Sequence, residues 1–316
     1  MRFSIIVPVY NRPAELKELL ESLTYQKFSD FEVIIVEDGS TISSKEVVDQ
    51  YAGKLTIRYF LKLNSGPGPT RNFGYERAAG AYLVSFDSDC IIPPNYFTAV
   101  NEALAHTPLD AWGGPDRGNA SFTPIQQAMA YTMSATLTTG GIRGGASTGF
   151  QPRSFNMGIS RHVYEQTGGF KFTRLAEDIE LSIRMKNAGF RVGLIPEAWV
   201  FHKRRTNLRE FFRQVSGFGK GRIQVGRAHP GAVKLTHWLP ALFFAGQFVI
   251  PFTLFLSFSL TMVLTAGYFF YLILIGIGAF LQTGSGKVGW LAIPAAYVQL
   301  NGYGSGFLKE MFRRGV

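Results

Sequence analysis

Ala81-Tyr82-Leu83-Val84-Ser85-Phe86-Asp87-Ser88-Asp89 decides how the first two-thirds of this chain folds. The apolar run from Ala81 to Phe86 is continuous rather than alternating, so it reads as a strand covered on both faces, the habit of parallel sheets. Asp87 and Asp89 then lie at the strand's carboxyl end, the edge where open α/β sheets take up ligands. Two carboxylates there can hold a hard cation such as Mg2+ or Mn2+, and the cation can hold a diphosphate. An acidic turn of this kind can also simply cap a helix, so the residues around it have to decide.

Upstream, Ile5-Ile6-Val7-Pro8-Val9 is a second continuous apolar strand. Pro13 to Tyr25 carries Leu16, Leu19, Leu20 and Leu23 at helical spacing. Glu32 to Val36 predicts another strand, ending in Glu37-Asp38-Gly39-Ser40. A helix over 43–52, a strand from Leu55 to Leu61 and a helix from Gly68 to Ala79 lead back to the opening stretch. Strands alternating with helices predict an α/β fold with a doubly wound, mostly parallel sheet.

Polar residues gather after the strand ends: Tyr10-Asn11, then Asp38, then Asn64-Ser65-Gly66 with Arg71-Asn72, then Asp87, Ser88 and Asp89. Consecutive parallel strands would bring them to one crevice, where Asp38 can accept from a base or ribose. Arg71 can neutralise a phosphate or orient Asp38. Helix capping explains Asn11, Ser40 or Asn72 singly, but explains four polar strand ends poorly. Gly66-Pro67-Gly68-Pro69 is glycine-rich, yet G-x-G-x-x-G after the first strand and a useful G-K-[ST] are both missing, which disfavours dinucleotide and P-loop readings.

The net charge of +10 is unevenly placed. Residues 203–234 carry nine Lys/Arg and one Glu, and 235–316 four Lys/Arg and one Glu, which leaves residues 1–202 near −1. A nucleic-acid groove in the first part is therefore disfavoured. Cys90 is the only cysteine, so an intrachain disulfide is excluded and a reducing compartment fits.

No Lys, Arg, Asp or Glu occurs from Leu235 to Gly286. The stretch is long enough for two helices of about 20 residues each, enough to cross ~30 Å of hydrocarbon. The spans are expected near 238–258 and 260–281, within 235–286. Flanking basic residues then put both ends and the first domain in the cytoplasm, under a multi-pass inner-membrane topology. Residues 203–234, with Phe211, Phe212, Val215, Phe218 and Ile223 among Arg and Lys, predict a basic amphipathic helix on an anionic leaflet. In 287–316, the apolar part 288–308 is expected to be interfacial, with a third span as the alternative.

Taken together, Pro8-Val9-Tyr10-Asn11, Glu37-Asp38-Gly39-Ser40, Asn64-x-Gly66 with Arg71-Asn72, Asp87-Ser88-Asp89, Gly168-Gly169-Phe170 and Glu177-Asp178-Ile179-Glu180 resemble the family 2 glycosyltransferases, which have the Rossmann-like GT-A fold. The resemblance covers residues 1–202. It implies inverting transfer of a sugar from a nucleotide-diphosphate sugar, by preference UDP-linked, to an acceptor hydroxyl, with Mg2+ or Mn2+ as cofactor.

By matching position, the resemblance assigns Asp38 to the base, with Pro8 and Tyr10 lining that pocket. Asn11, Asn64, Gly66, Arg71, Asp87 and Ser88 would join them in binding the donor. Asp87, Asp89 and His202 would hold the metal, and Asp178 would be the catalytic base. Asn156, Glu177 and Arg184 would shape the acceptor site. Residues that choose the sugar are expected within Trp112 to Gln151. The Q-x-x-R-W signature of processive members is absent after Gln214, so a single transfer is expected, to a lipid-linked or glycan acceptor in envelope-glycan or exopolysaccharide synthesis. A nucleotidyltransferase and a membrane scaffold with a retired transferase domain are the competing readings.

Overall fold

The computed structural model describes residues 1–117, 122–139, 150–203 and 205–313. The chain divides into two compact units, Met1–Asn119 with Gly145–Lys203 and Ala120–Gly144 with Arg204–Val316.

The first unit alternates strands and helices: β1 (Phe3–Val9), α1 (Pro13–Thr24), β2 (Phe31–Asp38), α2 (Lys45–Asp49), β3 (Ile57–Lys62), α3 (Pro67–Arg77) and β4 (Tyr82–Phe86). There follow β5 (Cys90–Ile91), α4 (Tyr96–His106), β6 (Ala111–Gly113) and β7 (Asp116–Arg117). In the second unit come α5 (Pro124–Ser134) and α6 (Thr136–Thr139). The first unit then resumes with β8 (Asn156–Ser160), α7 (Arg161–Thr167), α8 (Glu177–Asn187), β9 (Val192–Leu194) and β10 (Val200–His202).

Seven strands form one sheet in the order β3-β2-β1-β4-β8-β6-β9. The first four are mutually parallel, β8 runs antiparallel to β4 and β6, and β6 pairs parallel with β9. The sheet is thus doubly wound and mixed, with its parallel half formed by the strands read from the sequence. A small second sheet orders β5-β10-β7, with His202 opposite Cys90.

Both faces of the main sheet are covered, which explains the continuous apolar runs. Alternate residues of β1 serve different layers. Phe3, Ile5, Val7 and Val9 pack with Leu16, Leu19 and Leu23 of α1 and Phe97 and Val100 of α4. Ile6 joins Tyr75 of α3, Val163 of α7, and Leu181 and Met185 of α8. The helix expected over 43–52 stops at Asp49, because the backbone closes into turns there: Tyr51 N donates to Val48 O and Lys54 N to Tyr51 O.

The second unit continues with α9 (Leu208–Ala228), α10 (Leu239–Val249), α11 (Phe258–Thr283) and α12 (Gly286–Met311). Two stretches, Leu235–Phe255 and Phe258–Thr283, are long and apolar enough to cross a membrane, and little of either is buried within the protein. Short 3-10 turns at Leu235–Trp238 and Ile250–Phe255 flank α10, with prolines at 240 and 251 near the helix starts.

The apolar residues of α9 divide: Phe212 and Phe218 are exposed, while others are covered by α12. Phe211 and Val215 are buried in a cluster with Val288, Ala292 and Ala295 of α12. The two helices approach closely because the contact is lined by glycine: a side chain at Gly219 would strike the Tyr303 carbonyl, and one at Gly306 that of Ser216. The segment 288–308 lies within α12, which buries Ala292, Ala295, Ala296, Leu300 and Phe307.

Candidate functional site

The carboxyl ends of β1, β2 and β4 meet at one edge of the sheet, as parallel pairing requires. Beyond β1, Asn11 sits in left-handed backbone at φ 54°, a conformation Asn tolerates better than most residues. Its Oδ1 accepts from Thr41 N at 2.7 Å and Ile42 N at 3.0 Å, and its own N donates to Ser40 Oγ at 2.9 Å. Asn11 thus ties the β1 loop to the β2 loop. Pro8 is half-buried in β1, and Tyr10 is exposed at the edge.

Asp38 ends β2 and is buried. It accepts from Ser65 N and Gly66 N, each at 2.9 Å, and from Lys62 Nζ at 2.6 Å. Burial pushes its carboxyl up, but the Lys62 ammonium and the two backbone donors outweigh that and hold it below the usual range. Asn64 Nδ2 closes the same loop by donating to the Asp38 carbonyl at 2.8 Å. Gly66 stands at φ 94° before α3, and a side chain there would meet the Thr173 carbonyl, so glycine is required.

Arg71 of α3 is fully buried. Its Nη2 donates to Asp87 Oδ1 at 2.5 Å and its Nη1 to Glu177 Oε1 at 3.2 Å, and its guanidinium lies over the Phe170 ring. The arginine expected to meet a phosphate or orient Asp38 therefore bridges two other carboxylates. Ser88 is buried between Asp87 and Asp89.

Asp89 lies 2.6 Å from Arg12 through Oδ2 and 3.2 Å from His202 Nε2 through Oδ1. His202 is carried by β10 and stacks on the Phe155 ring at 4.5 Å. Asp89, Cys90 and His202 each place one donor atom within 4.8 Å of the others. The His202 Nδ1 atom is buried and meets no hydrogen-bond partner among the described residues. A carboxylate and an imidazole so grouped, with a thiol beside them, fit a divalent metal.

Asp178 and Glu177 open α8 after Ala176, which is held in left-handed backbone at φ 56°. This strained corner turns both acids toward the sheet edge. Asp178 accepts from Ser154 N at 3.4 Å and lies 3.8 Å from Arg153 Nη1. Burial first, and the Asp178 charge second, push Glu177 up to about 7, against the pull of Arg71.

Asn156 and Arg184 both brace the structure around them. Asn156 is buried in β8, accepts from Tyr96 OH at 2.6 Å and donates to Ala198 O at 2.8 Å. Arg184 binds Glu180 and the carbonyls of Thr167 and Gly169. Within the expected sugar-selecting stretch, 118–121 and 140–149 lie outside the described residues.

Five participants were not singled out as site residues from sequence: Arg12, Lys62, Cys90, Arg153 and Ser154. Arg12 and Lys62 had a signal, since one follows Asn11 and the other closes the strand before Asn64. Arg153 and Ser154 had none, because only the tertiary fold brings their loop to α8.

A doubly wound sheet with clustered acids at its carboxyl edge is a place where open α/β folds take up ligands, and the comparisons give the family. The model of Glycosyl transferase family 2 matches residues 4–168, and the chain belongs to that family. The glycosyltransferase AglE of Haloferax volcanii is 26% identical over 227 residues, covering 70% of this chain and 73% of its own length.

TarS of Staphylococcus aureus, a poly(ribitol-phosphate) beta-N-acetylglucosaminyltransferase, is 42% identical over 93 residues, which is 28% of this chain and only 16% of TarS. A Rickettsia felis glycosyltransferase is matched over a similarly small share, 15% of its length. Among solved structures, mannosyltransferase PcManGT from Pyrobaculum calidifontis, in complex with GDP-Man and Mn2+, superposes with a TM-score of 0.64 at 18% identity, over 99% of this chain and 88% of PcManGT. That likeness carries the GT-A fold.

Proposed function

We propose that this chain is a membrane-anchored, inverting, metal-dependent glycosyltransferase. It moves one sugar from a nucleotide-diphosphate sugar, UDP-linked by preference, to a hydroxyl of a lipid-linked or glycan acceptor at the cell envelope. The observation that carries the reading is the set of acids held by cations at the carboxyl edge of a family 2 fold: Asp89 on Arg12, Asp87 and Glu177 on Arg71, and Asp178 near Arg153. Likeness to TarS, which glycosylates poly(ribitol-phosphate), supports a glycan-polymer setting.

In this reading Pro8 and Tyr10 flank the base and Asp38 holds the loop from Ser65 to Gly66 against it. Asp89 and His202, with Asp87, would hold Mn2+ or Mg2+, which when bound would supply charge neutralisation for the departing diphosphate. Asp178 takes the proton of the acceptor hydroxyl as its oxygen bonds to the anomeric carbon and the bond to the diphosphate oxygen breaks. One direct displacement gives inversion. Burial raises the Glu177 carboxyl to about 7, so near neutral pH it carries only part of its charge beside Asp178. The two apolar helical stretches support a membrane anchor, with the catalytic unit on the cytoplasmic side by the positive-inside rule. Two spans and the missing processivity signature favour single transfer over polymer synthesis.

The test is thermal stabilisation of detergent-purified protein by UDP, GDP and dTDP, with and without Mn2+, beside Asp89→Ala. Stabilisation by one nucleotide that needs the metal and disappears in the variant supports the reading and fixes the donor class. A folded protein stabilised by none of them points to the scaffold reading instead.

A further inference from the structure

Asp89 already has a cation against it, and the protein supplies it. Arg12 Nη1 sits 2.6 Å from Asp89 Oδ2, a carboxylate only 11% exposed. We propose that Arg12 is the exchangeable counter-cation of the metal site. It holds Asp89 when no divalent ion is bound, gives up that oxygen when the ion enters, and then presents its guanidinium to the donor's diphosphate. The inference rests on Asp89 being a metal ligand.

The competition is physical. A divalent ion on Asp89 meets a guanidinium at contact distance from the same carboxylate, and two cations there repel strongly where water is scarce. A charge-assisted pair this short must break before the ion is fully held.

Arg12 is free to make the exchange and Arg71 is not. The Arg12 side chain is 32% exposed, whereas that of Arg71 is 2% exposed and pinned between Asp87 and Glu177. The root of Arg12, by contrast, is fixed. Asn11 before it is locked to Thr41 and Ile42, and Pro13 after it begins α1. Only the side chain can swing, so its charge stays beside the donor pocket. A forked guanidinium suits a phosphate group once the carboxylate is taken.

The exchange couples the two ligands. Metal alone must displace Arg12 without giving it a new partner, and a bound diphosphate supplies that partner, so the two bind better together than apart.

The test measures Mn2+ affinity by electron paramagnetic resonance of the free ion. It uses the full-length detergent-purified chain, with and without UDP or GDP, in wild type, Arg12→Gln, Arg12→Lys and Asp89→Asn. Arg12→Gln is expected to bind Mn2+ about tenfold more tightly without nucleotide and to lose most of the enhancement that nucleotide gives. Arg12→Lys should fall between, since it keeps the charge without the fork. Damage to the fold would weaken metal binding, so tightening cannot come from misfolding. Unchanged or weaker Mn2+ binding in Arg12→Gln, with binding lost in Asp89→Asn, overturns the role of Arg12 alone. Mn2+ binding that survives Asp89→Asn overturns the metal-site reading beneath it.

Discussion

Arg71 Nη1 lies 3.2 Å from Glu177 Oε1, although 106 residues separate them in the chain. The contact joins α3 to the start of α8, and the second Arg71 nitrogen carries it on to Asp87. The acidic site is thus assembled on a buried cation that the ligand does not need to provide.

Removing that cation should cost stability as well as activity. Breaking a buried ion pair by deleting one partner typically costs about 3–5 kcal/mol. Arg71→Met is expected to lower the melting temperature clearly, and Arg71→Lys less so. Equal melting temperatures for wild type and Arg71→Met would mean the network contributes little to the fold.

The raised Glu177 carboxyl gives a signed pH dependence. Its folded value of about 7 exceeds the ordinary 4.5, so the folded chain binds more protons than the unfolded chain between those values. The stability it contributes is full below about 4.5 and is lost as pH rises through about 7. Melting curves at pH 5, 6, 7 and 8 should show a smaller fall across this window in Glu177→Gln than in wild type. An identical slope in both would remove Glu177 as the cause.

Asp178→Asn keeps the size of the side chain and removes its basicity. Turnover should drop by roughly 10²–10⁴, the usual contribution of a general base. Nucleotide-induced stabilisation should stay near that of wild type, because Asp178 lies at α8 and not at the β2 loop that holds Asp38. Retained turnover in the presence of a suitable acceptor would move the base elsewhere.

His202 is a largely buried imidazole, 13% exposed, stacked on Phe155, so the melting temperature of its variant has to be matched to wild type first. His202→Ala should raise the Mn2+ concentration needed for nucleotide stabilisation by about 10-fold or more, as loss of a ligand does. Wild-type metal dependence in the variant would leave the acids alone as ligands.

The exposed apolar stretches predict strong attachment to lipid. Phe255, Leu256, Val263 and Leu281 are all largely exposed, and water would have to cover them otherwise. The chain should stay with the membrane fraction after alkaline carbonate washing. Release into the wash would contradict an integral anchor.

The parallel half of the sheet was legible because its cause is local. Residues on strands covered on both faces must be apolar without alternation, and β1, β2 and β4 carry that pattern in their own sequence. Asp38, Asp87 and Asp89 follow those strands directly, so their shared edge could be read as well. The charge-free stretch after Leu235 likewise declared its helices by length and composition.

What the sequence could not decide was which charge meets which. Arg71 was read as a phosphate or Asp38 partner, and folding gave it to Asp87 and Glu177; Asp38 was closed instead by Lys62. The apolar stripe of α9 was read as lipid-facing; glycines on both helices let α12 cover Phe211 and Val215, while Phe212 and Phe218 stay exposed. Periodicity fixes which residues lie on one face of an element, but not what that face meets. Pairing between distant side chains depends on how loops and layers come together, and only the tertiary structure settles that.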